Sequence, residues 1–174
     1  IIKGKIFAST KPKLISKDNP IANTEGALNA ITVVTDQLNN LYIEGEGAGG
    51  FPTASSVLSD IYEISYNSNY KSLGFAQSKL VKFEKFNSSD LETKYYLRIR
   101  VTDEPGVLSK ITSYFNDENI SVEKILQFPD NNSDVIPILI TTHKIKSSRL
   151  LSSVKKIEDL DFVFKNISVI PIEY

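Results

Sequence analysis

A glycine-rich turn is the part of the chain whose residue types and spacing are best suited to chemistry. Gly45, Gly47, Gly49 and Gly50 follow a strand-like run, and Pro52 comes two residues later where a helical pattern starts. Glycine lets the backbone approach a ligand closely, and proline suits the first helical turn because no amide is needed there. Since free amides at a helix start attract anions, the turn predicts a site for a phosphate group.

The same turn satisfies the dinucleotide pattern G-x-G-x-x-G at Gly45, Gly47 and Gly50. That pattern indicates a Rossmann unit only inside a βαβ context with an acidic residue about 20 positions further on. The polar segment 66–72 shows no buried strand, so we do not expect a Rossmann half to begin here. A strand-to-helix connection without a ligand is the alternative interpretation of the local sequence.

Two strands and a helix are predicted around this turn. Residues 28–35 carry a β-branched run and residues 41–43 follow a short polar loop, so the two segments predict a hairpin. From Pro52 to about residue 66, apolar residues at spacings of three and four form one stripe of a helix. Upstream, residues 3–16 predict a strand near a sheet edge, because a proline at position 12 cannot donate to a β-ladder.

The second half of the chain alternates regularly between strands and helices. Residues 95–101 alternate as a half-buried strand, and a turn leads into a helix with one apolar face. The remaining pattern predicts strands at 120–126, 135–142 and 162–172 and a helix at 147–160. The order βαββαβ is the ferredoxin-like split unit, so we expect an α+β protein with a linker at 67–93.

Composition and charge exclude several classes of protein. The 174 residues include 20 basic and 21 acidic side chains, a formal net charge of -1, which is no footprint for nucleic acid or an anionic membrane. Neither a bilayer-spanning apolar run nor a signal peptide is present, so we expect a cytoplasmic protein without a membrane partner. Without cysteine, and with His143 as the single histidine, we expect no disulfide and no metal site.

Several linked motifs at the front resemble the last part of the catalytic region of homoserine dehydrogenases, in the same order and at similar separations. They are Asn19-Pro20-Ile21-Ala22-Asn23, Gly26-Ala27-Leu28-Asn29-Ala30-Ile31, the glycine turn, Pro52-Thr53-Ala54 and Ser59-Asp60. The resemblance implies that residues 1–66 end a catalytic and dimer-forming region. It also implies that the turn helps to hold NAD(P), with cofactor contacts at Gly47, Ala48, Gly49 and Thr53.

The resemblance further implies what the whole protein does. Homoserine dehydrogenases interconvert aspartate 4-semialdehyde and homoserine with NAD(P), in threonine, methionine and isoleucine biosynthesis. The chain begins Ile1-Ile2 and contains no methionine, so we expect a piece of a longer protein. Its upstream part would hold the main cofactor domain and the family's catalytic lysine. No catalytic residue is therefore assigned in this chain, and we expect the 174 residues alone to be inactive.

The second half is similar to an ACT domain in two segments, Asp103-Glu104-Pro105-Gly106-Val107-Leu108 and Asn119-Ile120-Ser121. ACT domains pair side by side and bind amino acids at the pairing interface. The resemblance implies a regulatory domain at 94–174 that forms at least a dimer and binds an amino-acid effector, with threonine expected. It implies effector contacts at Asp103, Gly106, Val107, Leu108 and Asn119. The fold class is then α+β, the end of a mixed-sheet catalytic region followed by a ferredoxin-like ACT domain.

Simpler interpretations of these residues stay open. Asp103 could accept an ammonium group, but an aspartate before Glu-Pro-Gly is also ordinary turn chemistry. Asn119 could equally end a helix. Two other functions are possible, a non-enzymatic amino-acid sensor and a purely structural oligomerisation domain. A sensor predicts a front segment with its own complete core, whereas the dehydrogenase predicts a front segment that is frayed, exposed at an edge or paired with a second chain.

Overall fold

The computed structural model describes residues 1–66, 77–128 and 134–173. Its strands and helices, in chain order, are β1 (Leu14–Ile15), β2 (Leu28–Val33), β3 (Leu41–Glu46), α1 (Gly50–Tyr66), β4 (Glu92–Thr102), α2 (Val107–Asp117), β5 (Val122–Gln127), β6 (Val135–Thr142), β7 (Ile145–Lys146), α3 (Ser147–Glu158) and β8 (Val163–Glu173). These elements belong to two compact units, one of residues 16–82 and one of residues 1–15 with 83–174.

The larger unit contains a mixed six-stranded sheet in the order β1-β8-β4-β6-β5, with β7 pairing separately with β4. Strands β8, β4, β6 and β5 are antiparallel neighbours, and β1 adds to the edge in parallel with β8. The predicted βαββαβ order is confirmed. The predicted edge strand at 3–16 is only two residues long, at Leu14–Ile15, because proline and lysines interrupt the preceding segment.

The core of this unit lies between the sheet and helices α2 and α3. Alternate residues of β4 point into it, since successive side chains of a strand face opposite sides of the sheet. Helix residues spaced by three and four complete it. The fully buried apolar side chains are Leu97, Ile99, Val101, Ile111, Ile136, Ile138, Ile140, Leu150 and Ile157, together with Phe115 at 1% exposure.

The smaller unit contains the β2–β3 hairpin and helix α1. The hairpin confirms the predicted pairing, with Ile31 directly opposite Ile43 in the antiparallel register. Helix α1 carries the predicted apolar stripe, but Val57, Leu58 and Ile61 are 52%, 65% and 58% exposed. No described residue of this unit is buried. The stripe is thus a helical pattern without an apolar partner surface among the described residues of its own unit.

Two sequence predictions extend beyond the described residues. The linker at 67–93 is described only from residue 77 onwards, where it contains two short 3-10 turns before β4 begins at Glu92. The predicted boundaries 1–66, 67–93 and 94–174 stay a prediction.

None of the described helices has the length and apolar character needed to cross a bilayer.

Candidate functional site

The glycine turn between β3 and α1 is shorter than the sequence indicates. Gly45 is a strand residue paired with Asn29, and the Gly47 amide extends the hairpin by donating to the Ala27 carbonyl at 3.1 Å. Helix α1 begins at Gly50 rather than at the predicted Pro52. A proline in the first turn is tolerated because its missing amide has no helical acceptor there. The turn itself is therefore limited to residues 47–49.

Two of the four predicted cofactor contacts have amides that are already bonded within the chain. The Gly47 amide belongs to the hairpin, and the Thr53 amide donates to the Gly49 carbonyl at 3.2 Å as the first helical bond. The amides of Ala48 and Gly49 have no hydrogen-bond partner within the described residues, and both residues are exposed. Among the four predicted contacts, Ala48 and Gly49 are thus the ones whose amides a ligand could use.

Close packing at the turn explains why two of its positions are glycine. Gly49 has φ of +132°, in the left-handed region that other residues avoid. A Cβ atom placed on Gly47 would lie 1.3 Å from the Asn29 Nδ2 atom, so the Asn29 amide occupies the space of the missing side chain. Any other residue at position 47 would have to displace that amide.

A polar cluster of Thr24, Tyr42 and Glu44 lies in the same unit and was not predicted from the sequence. The Thr24 hydroxyl lies 2.8 Å from the Tyr42 hydroxyl and donates to the Glu44 carboxylate at 2.9 Å, and Tyr42 also donates to Glu44. The hydrogen bond from Tyr42 lowers the pKa of Glu44, and the same bond raises the pKa of Tyr42. The spacing of Tyr42 and Glu44 on one strand was the only signal available for this cluster.

The predicted effector turn between β4 and α2 is a type II β-turn. The Val107 amide donates to the Glu104 carbonyl at 3.4 Å, and Gly106 has φ of 91° and ψ of -14°. This turn type requires positive φ at its third residue and favours proline at its second, as at Pro105. The turn geometry therefore accounts for Gly106 whether or not a ligand binds.

The five predicted effector contacts do not form one cluster within the chain. Val107 is buried in the core and Leu108 packs against it, whereas Asp103 and Gly106 are exposed at the turn. Asn119 lies at the other end of α2, an 11-residue helix that spans about 16 Å.

Asn119 ends helix α2 as part of a Schellman motif. Its φ is 53°, its amide donates to the Asn116 carbonyl at 2.9 Å, and the Ile120 amide donates to the Phe115 carbonyl at 2.8 Å. Phe115 and Ile120 are both buried, which supplies the apolar contact typical of this motif. The helix-ending interpretation of Asn119 therefore has a structural basis, and a ligand contact there stays a prediction.

Two of the ion pairs in the larger unit lower the pKa of a glutamate. Glu118 accepts hydrogen bonds from Lys156 at 2.9 Å and Ser152 at 3.0 Å, which lowers the pKa of Glu118. Lys94 donates to Glu123 at 2.7 Å and lowers the pKa of that carboxylate. In the described ranges, no three His, Asp or Glu side chains converge as metal ligands would.

Both halves of the chain match known protein families. Residues 95–162 match the model of the ACT domain, so the βαββαβ unit is an ACT domain. Residues 2–62 match the homoserine dehydrogenase family. The resemblance is therefore confirmed, and the chain consists of a homoserine dehydrogenase segment followed by an ACT domain.

Individual homoserine dehydrogenases match nearly the whole length of this chain. The homoserine dehydrogenase of Helicobacter pylori is 32% identical over 162 residues, covering 93% of this chain and 38% of the relative. The Bacillus subtilis enzyme is 34% identical over 164 residues, covering 91% and 37%. A solved homoserine dehydrogenase from Thiobacillus denitrificans superposes with a TM-score of 0.76 at 31% identity, covering 93% and 38%. The chain thus spans less than two fifths of the length of these relatives.

Proposed function

We propose that the chain is the C-terminal part of a homoserine dehydrogenase, which as a whole interconverts aspartate 4-semialdehyde and homoserine with NAD(P) in the cytoplasm. This reaction serves threonine, methionine and isoleucine biosynthesis. The observation that carries the proposal is the order of the two matches, residues 2–62 to homoserine dehydrogenases and residues 95–162 to ACT domains. No residue of this chain is assigned a catalytic role.

The uncovered apolar surface of the smaller unit supports a role within a larger catalytic region. Ile31 and Ile43 face each other across the hairpin at 62% and 54% exposure, and α1 exposes its apolar stripe. Large exposed apolar surfaces are typical of sites that contact other protein. A non-enzymatic sensor predicts a front segment with a complete core, which the described residues of this unit do not have.

The glycine turn is the part of this segment that fits a nicotinamide cofactor. The cofactor, when bound, supplies the hydride for the reaction, and the protein aligns it. Ala48 and Gly49 would donate their free amides to a phosphate oxygen at the start of α1, where the helix dipole favours an anion. Gly47 and Thr53 would line the same turn, where the Asn29 side-chain amide occupies the space beside Gly47. Most of the cofactor would be bound by the remainder of the enzyme.

The ACT domain supports feedback regulation by an amino acid, for which threonine is the proposed effector. Strand β5 is the free edge of the sheet, and it exposes Ile125, Leu126 and the adjacent Phe128 at 37%, 54% and 54%. Antiparallel pairing of two β5 edges would bring Asn119 of one copy to the sheet end that carries Asp103 of the other. A dimer would thereby complete a site that a single chain leaves divided.

Within that site, Asp103 would accept the effector ammonium group. The exposed turn at Gly106 would leave room for the effector backbone, because no heavy atom lies within 4 Å of a Cβ built there. Val107 and Leu108 would shape the apolar floor, and the first amides of α2 would receive the effector carboxylate.

A chimaera tests the dehydrogenase assignment. The chain replaces the segment that it matches in the Bacillus subtilis relative, and oxidation of NADPH with aspartate semialdehyde is measured. We expect activity in the chimaera and none in the isolated chain. We also expect Gly49→Val to raise the KM for the cofactor, whereas Gly45→Val, on β3 and without positive φ or a neighbouring atom within 4 Å, leaves it unchanged. A folded, dimeric but inactive chimaera would contradict the assignment.

Calorimetry and sedimentation test the regulatory site separately. Threonine is expected to bind the chain, and Asp103→Asn is expected to abolish binding, whereas Asp159→Asn on the exposed end of α3 is not.

Leu126→Lys on the β5 edge is expected to give monomers, because an edge charge prevents strand pairing. Leu151→Lys, at a comparably exposed position on α3, keeps the dimer. If no amino acid binds, the ACT domain serves dimerisation alone.

A further inference from the structure

Two arginines lie side by side on the face of the ACT sheet that is turned away from the helices. Arg98 and Arg100 alternate along β4 with the buried residues Leu97 and Ile99, so both side chains point outwards and are exposed. Residues two apart on a strand are about 7 Å apart, close enough for both guanidinium groups to contact one small ligand. β4 lies between two neighbouring strands, so this pair is inside the sheet rather than at an edge.

The charge of this pair is not compensated by its surroundings. Arg98 is directly opposite Leu139 on β6 and Ser168 on β8, and Arg100 is opposite Pro137 and Phe164. Neither guanidinium group has an ion pair or a hydrogen bond to any residue in the described part of the chain. Two adjacent positive charges without an acidic neighbour create a local positive potential on a chain whose net charge is only -1.

A bulge in β8 opens the surface beside the two arginines. The register shifts between Arg98 and Arg100, and Asn166 in the bulge has φ of 72°. The bulge is fixed from the helix side, because the Ile167 amide donates to the Glu158 Oε1 atom at 2.9 Å. Bulges often redirect side chains next to binding sites.

The bulge and the arginines together form a small cavity. Its volume is about 250 Å³, and its lining consists of Arg98, Arg100, Asn166 and Ser168. These four side chains supply two guanidinium groups, one amide and one hydroxyl. Guanidinium groups match the geometry of phosphate and carboxylate oxygens with paired hydrogen bonds, and the amide and hydroxyl can donate as well.

We propose that this cavity binds a small oxyanion, a phosphate or carboxylate group carried by a metabolite. The site is on the open face of the ACT sheet, and it shares no residue with the effector turn at Gly106 or with the glycine turn at residues 47–49. It requires neither dehydrogenase activity nor threonine binding. The cavity volume of about 250 Å³ is large enough for a phosphate-sized group.

Arginine side-chain NMR gives a direct test, because Arg98, Arg100 and Arg149 are the only three arginines. The labelled 174-residue chain is titrated with inorganic phosphate and, separately, with succinate, each at constant ionic strength. We expect saturable shifts of the Arg98 and Arg100 Nε–H signals with a Kd of about 1 mM or lower, and an unchanged Arg149 signal. The stronger of the two titrations identifies phosphate or carboxylate as the preferred group.

Variants make the outcome specific. Arg98→Gln and Arg100→Gln are each expected to weaken binding about tenfold or more, and the lysine variants less, since lysine keeps the charge but loses the paired geometry. Asn166→Gly keeps a residue that accepts positive φ and removes only the amide. Lys165→Gln, a charge change of the same size outside the lining, leaves binding unchanged. Equal shifts of all three arginines, or shifts reproduced by sodium chloride, would overturn the proposal.

Discussion

The two units use similar apolar patterns with opposite results. In the ACT domain, the alternating residues of β4 and the stripe of α2 meet in a contiguous core that includes Leu97 and Phe115. In the smaller unit, the stripe of α1 and the cross-strand pair Ile31 and Ile43 stay more than half exposed. The comparison shows that a pattern determines which element forms, whereas burial depends on a second surface that the pattern itself does not supply.

Hydrogen exchange is expected to show the largest difference between the units. Amides of β4 and β6 should require global unfolding to exchange, at a free energy of about 5 kcal/mol or more. Amides of α1 and the hairpin should exchange through local opening at much lower free energy, because few buried contacts oppose it. The measurement is native-state exchange followed by NMR. Equal protection in both units would show that the smaller unit is stabilised by contacts of its own.

Truncation of an apolar side chain is expected to lower stability much more in the ACT domain than in the smaller unit. Phe115→Ala should lower the free energy of unfolding of the ACT domain by about 3–5 kcal/mol, because it removes a ring that is 1% exposed. Ile61→Ala in α1, where the side chain is 58% exposed, should change stability by about 0.5 kcal/mol or less. Urea unfolding followed by circular dichroism gives both values, and Phe115→Leu serves if the alanine variant does not fold. A large cost at Ile61 would contradict the contrast between the units.

A Gly→Ala substitution should lower stability at a chosen position of the ACT domain and raise it at one of the smaller unit. Gly106→Ala places a Cβ on a residue with φ of 91°, which should cost about 1–2 kcal/mol although no atom obstructs it. Gly45→Ala, in β3 and without positive φ or a neighbour within 4 Å, should stabilise the hairpin by about 0.5–1 kcal/mol. Thermal unfolding of the two variants gives the comparison. Equal effects would mean that the type II turn does not constrain Gly106.

The smallest effect is expected from the ion pair between Glu118 and Lys156. Because the hydrogen bond from Lys156 lowers the folded-state pKa of Glu118, its stabilisation is fully present above the ordinary glutamate pKa near 4.3. That stabilisation is lost as the pH falls through the lowered pKa. The raised pKa of Lys156 sets the upper limit, since its contribution is lost as the pH rises through that value.

Unfolding of Glu118→Gln at pH 7 and pH 3 measures this pair. The variant should be slightly less stable than the parent at pH 7, and the difference should be smaller at pH 3, because the parent carboxylate takes up a proton as the pH falls through its lowered pKa. Glu63→Gln on the exposed surface of α1 is the matched control and should show no such difference. A loss of stability in Glu118→Gln that is the same at both pH values would exclude the ion pair as its cause.

By itself, the sequence determined the local structure of this protein. The alternation at 95–101 predicted β4, the apolar spacing predicted the helices, and Pro105-Gly106 predicted a tight turn, because each follows from backbone geometry and side-chain period. The linked front motifs indicated homoserine dehydrogenases as the related family, and the match over residues 2–62 confirms this relationship.

Only the tertiary structure decided which distant residues meet. It pairs Leu14 with Ile172, places Asn119 a helix length from Asp103, and sets Asn166 beside the two arginines of β4. It also shows that α1 buries none of its side chains against the described residues of its unit. These arrangements depend on long-range strand pairing and on a bulge that shifts its register, which no period of apolar residues within one segment encodes.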